Sequence, residues 1–207
     1  MSLGRHFVPL DLDVAIERLA DLIERSPSFV RVAIDGPPCA QPEVLAEALI
    51  EPLRFRGRPG AHVRAETFWR DASLRLEYGR HDVESYRTWL DAGALRREVL
   101  DPLVASGTYL PSLRDPRTNR STREAVRHAE PGTVVLVSGA LLLGQELPFD
   151  RTVHLTMSAA ARARRTPEHE AWTLPAFDAY DHDVEPIRVA DVVIKLDDPK
   201  HPAVRGL

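Results

Sequence analysis

Short apolar runs alternate with amphipathic segments along most of this chain. Five runs are short and rich in β-branched residues, as buried strands are; they are residues 30–34, 61–65, 133–137, 153–157 and 190–196. Apolar residues at helical spacing mark further segments, namely 12–25, 43–51 and 92–104. Strands alternating with helices predict a three-layer α/β domain with a mainly parallel sheet of about five strands.

The pattern indicates a single domain over residues 1–207, because no linker, repeat or low-complexity segment divides it. Residues 1–28 form an N-terminal extension with one amphipathic helix. Ser26-Pro27 is predicted to end that helix, since a residue before proline is pushed out of the α region.

Composition narrows the function classes only slightly. The net charge of −4 gives no general case for a nucleic-acid or membrane surface, and the local arginine runs are typical of solvated faces. A single cysteine, Cys39, excludes an internal disulfide, and we interpret it as a small buried side chain. No apolar run of membrane-spanning length and no secretory leader is found, so we expect a cytoplasmic protein.

The first strand runs into a glycine-proline turn and then into a helix, which is the setting of a phosphate-binding loop with the pattern G-x-x-x-x-G-K-[ST]. Gly36 occupies the first position. The other fixed positions hold Gln41, Pro42 and Glu43 instead of Gly, Lys and Ser/Thr. The candidate loop comprises Gly36, Pro37, Pro38, Cys39, Ala40, Gln41, Pro42 and Glu43. Its framework is present, but the groups that bind phosphate are replaced.

Six stretches together resemble the uridine kinase-like (nucleoside kinase) branch of the P-loop kinases. They are VAIDG with LAEAL around the loop (32–36 and 45–49), ETFWR (66–70), ALRREVLDPL (94–103), DPRTNR (115–120), VVLVSG (134–139) and Tyr180 and Pro186 followed by ADVVI (190–194). The resemblance covers residues 30–196 and implies a P-loop NTPase-type fold. It also implies degenerate Walker A and Walker B motifs, because Ser138 replaces the acid of the second motif.

The resemblance implies roles for several residues. Glu66 takes the place of the carboxylate that accepts the proton of the acceptor hydroxyl, although a surface glutamate at a strand end is an equal alternative. The acceptor side spans residues 66–90 and 108–125, and the candidate acceptor-binding residues are Arg70, Tyr78, Arg80 and Tyr86. Both tyrosines could equally be packing residues.

A reduced lid over residues 160–178 is also implied by the resemblance. Its candidate arginines are Arg162, Arg164 and Arg165, and the alternative for them is a solvated helix end. The histidines near acidic residues (169, 182 and 201) lack ligand spacing, so no metal site is predicted.

Three hypotheses about function follow. The first is a uridine kinase-like protein with lost or strongly reduced ATP-dependent phosphotransfer and a residual ligand-binding or regulatory role. The second is an active phosphotransferase for a nucleoside or similar small hydroxyl compound, using ATP and Mg²⁺ through non-standard contacts. The third is a structural or partner-binding protein, with a homodimer as one form. The expected partner is a nucleoside or phosphate-bearing small molecule, with no nucleic acid and no membrane.

Overall fold

A seven-stranded sheet forms the centre of the protein, in a computed structural model that describes residues 6–26 and 28–207. The strands of the described chain are β1 (Val8–Pro9), β2 (Val30–Asp35), β3 (Gly60–Arg64), β4 (Thr108–Tyr109), β5 (Arg127–His128), β6 (Val134–Gly139), β7 (Arg151–Thr156), β8 (Val192–Lys195) and β9 (Ala203–Arg205), of which β4 and β5 pair in a separate two-stranded sheet. The α-helices are α1 (Leu12–Glu24), α2 (Pro42–Phe55), α3 (Ala72–Arg75), α4 (Val83–Tyr86), α5 (Ala92–Leu95), α6 (Asp101–Ser106), α7 (Ala159–Arg165), α8 (Leu174–Asp183) and α9 (Pro186–Val189). Short 3₁₀ segments cover Pro38–Ala40, Ala65–Phe68 and Glu168–Thr173.

The strand order is β1-β9-β8-β7-β2-β6-β3. The five strands from β8 to β3 are parallel, and they are the five that the apolar runs predict. The predicted α/β fold with a mainly parallel sheet is therefore confirmed. The sequence pattern missed β1 and β9, which add antiparallel strands beside β8. Each has only two or three residues, too few for a periodic signal.

Strand β2 is covered on both faces, which explains its continuous apolar sequence. Val32 and Ile34 belong to a core cluster with residues of α1 and α2. Ala33, which points to the opposite face, belongs to a second cluster with residues of α5, α6 and α8. The sheet, with a hydrophobic core and helices on each of its faces, therefore forms the middle of three layers. Within the described ranges, no helix is long and apolar enough to cross a membrane.

The helix predicted over 92–104 is present but irregular. It starts as α5, passes through a π-helical turn at Arg96–Leu100 and continues as α6. Pro102 has no N–H, and the carbonyl of Glu98 accepts instead from the N–H of Leu110 at 2.9 Å.

Helix α1 begins at a cap in which Asp11 accepts from the N–H of Asp13. Pro27, which is predicted to end this helix, lies outside the described residues.

Two glycines stand where the backbone leaves the central strands. A Cβ on Gly36 would lie 2.9 Å from the Cβ of Leu155, and one on Gly139 would lie 2.7 Å from the Cβ of Ala65. Both distances are shorter than a van der Waals contact, so close packing of neighbouring strands requires glycine at these ends. Packing alone explains both glycines, so neither is evidence for a bound ligand.

We expect Gly139→Ala to lower the free energy of unfolding by about 1–3 kcal/mol, because the added methyl group overpacks the contact with Ala65. Urea denaturation followed by circular dichroism measures this. Gly93→Ala is the matched control: Gly93 lies in α5 with open space beyond Asp91, and alanine there should stabilise by about 0.5–1 kcal/mol. Equal effects of the two substitutions would contradict the packing role of Gly139.

Candidate functional site

A cavity of about 230 Å³ opens at the carboxyl ends of the parallel strands. After β2 the chain crosses to β3 and β6 on one side of β2 and then to β7 on the other. This reversal of direction is a topological switch point, where open α/β sheets bind their ligands. The loop after β2, the turn after β3 and the end of β6 all contribute to the lining.

The phosphate-loop residues wrap the end of β2, but few of their N–H groups are available. Pro37, Pro38 and Pro42 have none. The N–H of Ala40 donates to Pro37 at 2.8 Å and that of Gln41 donates to Pro38 at 3.0 Å, so the loop winds into a 3₁₀ turn.

Gly36 donates to the carbonyl of Gly139 at 3.1 Å. Within residues 6–26 and 28–207, the N–H groups of Cys39 and Glu43 are the ones left in this loop without a backbone acceptor. A phosphate cradle needs several converging N–H groups.

Gln41 joins this turn to α2 in the left-handed conformation, with φ 57° and ψ 57°. Glycine fills this position in the standard motif and adopts the conformation without strain. Pro42 then supplies the first residue of α2, and it also disfavours the α conformation for the residue before it. The entry into the helix is therefore built by a proline rather than by a glycine and a lysine.

Glu43 and Glu66 face the cavity from different elements. Glu43 lies in the first turn of α2, where a negative charge is favoured by the helix dipole. Glu66 lies in the 3₁₀ turn after β3, which aims its half-buried carboxylate inward, and it pairs with the exposed Arg64. Burial raises the pKa of Glu66, and the charge of Glu43 raises it further, while Arg64 opposes both effects. Two carboxylates thus lie at the phosphate-loop end of the cavity.

Ser138, which the resemblance aligns with the acid of the second motif, is buried at the end of β6. Its hydroxyl lies 2.7 Å from Nε2 of His62 on the neighbouring β3. Burial lowers the pKa of His62, which favours the neutral imidazole. The strand end thus carries a neutral hydrogen bond in place of a carboxylate. Within the described ranges, no three His, Cys, Asp or Glu side chains lie close enough together to hold a metal ion.

Aromatic side chains form the opposite wall. The three tryptophans of the chain, Trp69, Trp89 and Trp172, all line the cavity. Trp69 and Trp89 meet edge to face with centroids 5.1 Å apart, and Trp172 lies 5.8 Å from Trp89. Backbone pairing between Trp69 and Leu90, and between Arg70 and Trp89 at 2.8 Å, fixes the two loops that carry them.

Tyr86, one of the predicted acceptor residues, stands within this aromatic wall. It contacts Trp89 and Trp172 edge to face, with centroid distances of 5.0 and 5.4 Å. Its side chain is 8% exposed, and its hydroxyl makes no hydrogen bond to any residue that the structure describes. Burial raises the pKa of Tyr86, and the charges of Glu170 and Glu66 add to that shift. The phenol therefore keeps its proton and can donate it to a ligand.

The other predicted acceptor residues lie away from the cavity. Tyr78 is 75% exposed, and Arg70 and Arg80 are exposed and do not contribute to the lining. The cationic group that does line it is Arg87, which pairs with Asp183 at 2.6 Å. Of the four predicted acceptor residues, Tyr86 lines the same cavity as Glu66, and the other three do not line it.

The three lid arginines have different surroundings. Arg162 is 4% exposed, pairs with Asp178 at 2.6 Å and with Asp181 at 2.9 Å, and so joins α7 to α8. Arg165 donates to the carbonyls of Leu196 and Asp197, and Arg164 is exposed. Two of the three therefore have full structural partners, and a lid role for the three stays a prediction.

A buried hydrogen-bond network lies beneath the loop. Asp35 is 0% exposed and accepts from the N–H of Leu142 at 2.9 Å and the hydroxyl of Tyr180 at 3.0 Å. Nδ1 of buried His154 lies 2.7 Å from the same carboxylate and is placed to donate to it. The Tyr180 hydroxyl in turn accepts from the N–H of Leu143 at 3.0 Å, and burial raises the pKa of Tyr180, as does Asp35. The carboxylate is thus held by three donors.

Sequence reasoning missed the tryptophans, Glu170 and the partners of Asp35. One signal was available for the tryptophans: all three lie in loops or short turns rather than at core positions of long elements. Nothing local marks Glu170 or His154, because each reaches its partners only through contacts distant along the chain.

The fold is that of the uridine kinase-like P-loop kinases. A solved structure of a possible uridine kinase from Bacillus stearothermophilus superposes with a TM-score of 0.71 at 22% identity, covering 88% of this chain and 98% of that one. A candidate fructose transport system kinase from Silicibacter sp. TM1040 gives a TM-score of 0.57 at 19% identity, covering 81% of this chain and 95% of that one.

The YGR205w protein gives a TM-score of 0.51 at 11% identity, covering 95% of this chain and 96% of that one. No family model matches the chain. No curated protein matches it either. At these identities the similarity concerns the fold.

We expect Tyr180→Phe to lower the free energy of unfolding by about 1–3 kcal/mol, because it removes a donor from buried Asp35 and leaves the Leu143 N–H unpaired. Chemical denaturation measures the change. Tyr109→Phe is the matched control, since Tyr109 is also buried and its hydroxyl bonds to no described residue. A Tyr180→Phe protein as stable as the control would show that the network contributes nothing.

Glu66→Gln should raise stability at neutral pH. Burial places the pKa of Glu66 above its ordinary 4.5, so the folded protein binds this proton more tightly than the unfolded chain. The unsubstituted protein therefore loses stability as the pH rises from about 4.5 through the folded pKa, whereas the variant does not. Urea denaturation across this pH range, with exposed Glu168→Gln as control, measures the difference. A destabilised variant at neutral pH would mean that the pair with Arg64 outweighs burial.

Proposed function

We propose that this protein is a uridine kinase-like P-loop protein that binds a small molecule in the cavity beside Glu66 and has lost, or strongly reduced, ATP-dependent phosphotransfer. The observation that carries the proposal is Glu43, whose carboxylate lines the cavity at the position where the motif has the Mg²⁺-binding hydroxyl. The role that remains is ligand binding or regulation.

Electrostatics support the loss of triphosphate binding. P-loop kinases bind ATP and Mg²⁺ through a lysine, a hydroxyl, an acid and a set of backbone N–H groups. Here the lysine position is Pro42 and the acid position is Ser138. Two unit charges about 4 Å apart interact by roughly 4 kcal/mol at an effective dielectric near 20. Replacing an attraction by the repulsion of Glu43 therefore weakens phosphate binding severely. These residues do not fit ATP-Mg²⁺.

The open cavity supports a ligand-binding role over a purely structural one. A structural protein gains nothing from an unfilled cleft, whereas here a cavity of about 230 Å³ stays open among three tryptophans, which bury large apolar area when they pack together. The free hydroxyl of Tyr86 and the carboxylate of Glu66 supply the few polar groups that orient a ligand.

Glu66 also supports the second candidate, an active kinase of a nucleoside or a similar hydroxyl compound. Its carboxylate faces the cavity, which suits a general base that accepts the proton of an acceptor hydroxyl. This candidate requires a phosphate donor to bind against Glu43. The binding of ATP-Mg²⁺ therefore separates the two.

We expect isothermal titration calorimetry to detect no binding of ATP-Mg²⁺ by the unaltered protein at submillimolar concentration. The double variant Pro42→Lys/Glu43→Thr restores the lysine and the hydroxyl, and should gain measurable affinity because it removes one repulsion and adds one attraction. Val44→Thr, at an exposed site in the same helix turn, is the control and should behave like the unaltered protein.

Micromolar binding of ATP-Mg²⁺ by the unaltered protein would overturn the proposed loss of phosphotransfer and favour the active kinase. Failure of the double variant alone would indicate that the 3₁₀ turn of the loop, and not only its charges, excludes phosphate.

A further inference from the structure

Three carboxylates converge on the same small cavity from three separate elements. Glu43 comes from α2, Glu66 from the turn after β3, and Glu170 from the 3₁₀ segment before α8. Their charges act on shared neighbours: Glu43 raises the pKa of Glu66, and Glu66 and Glu170 both raise the pKa of Tyr86, whose burial is the larger cause. The cavity is therefore a region of negative potential.

Positive charge is scarce in the lining. Arg87 is the one cationic side chain there among the described residues, and it is engaged by Asp183 at 2.6 Å. Arg64 pairs with Glu66 from outside the cavity, and exposed His169 lies 3.5 Å from Glu170. Glu43 has no ion-pair partner in the part of the chain that the structure describes. An anionic ligand would meet repulsion, chiefly from Glu43.

The aromatic side chains provide the second component of a cation site, beside the carboxylates. The faces of tryptophan and tyrosine rings attract a cation, and aromatic cages recognise quaternary ammonium groups in this way. Tyr86 and Trp172 both line the cavity and meet edge to face, with ring centroids 5.4 Å apart. The Tyr86 hydroxyl has no hydrogen-bond partner in the described chain although the residue is only 8% exposed, and it is therefore free to donate to a ligand group that accepts a hydrogen bond.

A buried arginine limits where the cation can lie. The guanidinium of Arg75 stacks on Trp69 at 5.1 Å and on Trp89 at 4.7 Å, and it does not line the cavity. Its charge already uses those two rings and repels a second cation there. Among the described residues, Trp172 and Tyr86 stack on no arginine or lysine, and the ring that lies against Trp172 at 5.3 Å is that of His81. Glu170 lies in the same 3₁₀ segment as Trp172, and its charge acts on Tyr86. The charged end of a ligand belongs on this side, and its uncharged part against Trp69 and Trp89.

We propose that the cavity binds a small organic cation, with an ammonium or quaternary ammonium group held by Tyr86, Trp172 and Glu170, and a hydroxyl or other acceptor group within reach of Tyr86. This inference rests on the proposed ligand-binding function and specifies the chemical class of the ligand. It differs from the sequence expectation of a nucleoside or a phosphate-bearing molecule.

Tryptophan fluorescence provides a direct test, because every tryptophan of the chain lines the cavity. The full-length protein is titrated at constant ionic strength with choline, with its uncharged carbon isostere 3,3-dimethylbutan-1-ol, and with uridine. Choline should change the emission and bind roughly tenfold more tightly than the isostere, as a desolvated cation–π contact predicts. An isostere that binds as tightly as choline would overturn the cation proposal.

Two substitutions test the role of charge. Glu170→Gln should weaken choline binding by roughly fivefold or more while leaving the isostere unchanged, since it removes a nearby charge and keeps the shape. Glu168→Gln, exposed in the same 3₁₀ segment and outside the lining, should leave both affinities unchanged. Thermal unfolding of both variants checks that they are folded. Equal choline affinity of the Glu170→Gln and Glu168→Gln proteins would contradict the assignment of Glu170.

The outcomes for the inference and for the proposed function are distinguishable. If uridine or the isostere binds and choline does not, the cation proposal fails and the ligand-binding function stands. If none of the three compounds changes the fluorescence at millimolar concentration, both fail.

Discussion

The buried carboxylate of Asp35 is the interaction on which the rest of the site depends. Its oxygens connect the end of β2 to His154 on β7, to Tyr180 on α8 and to the backbone after β6. A carboxylate withdrawn from water is costly unless such donors satisfy it, so these elements must keep their positions together. These hydrogen bonds therefore hold the loop after Asp35, and the part of the cavity next to it, in a fixed position.

The loop of phosphate-loop kinases combines two properties, a strand-turn-helix framework and phosphate binding. Gly36 and Gly139 are required by the close approach of neighbouring strands, so the strand-turn-helix framework is maintained by packing alone. Phosphate binding depends on charges and free N–H groups, and at those positions stand Pro42, Glu43 and Ser138. Core packing and ligand chemistry therefore impose independent demands on the same loop, and one can persist without the other.

The cavity combines a rigid aromatic wall with negative charge. Trp69 and Trp89 are held by Arg75 behind them and by backbone pairing between their loops, which leaves their outer faces open. Glu66 has a different role in each proposal: as a general base it would accept a proton, and as part of a negative lining it would attract a cation. Which of these two roles Glu66 has depends on whether a phosphate donor can bind beside Glu43.

The five parallel strands and the main helices between them could be predicted from the sequence, because local periodicity marks each of them. The motif spacing also predicts a phosphate loop with replaced binding groups, which stays a prediction. The sequence also suggested Glu66 and Tyr86 as site residues; both line the cavity, and their roles stay predictions. Tertiary contacts determine that Tyr86 lines the cavity together with Trp172 and Glu170, while Tyr78 is exposed. Those contacts connect residues about a hundred positions apart, and no local pattern encodes which side chains will meet.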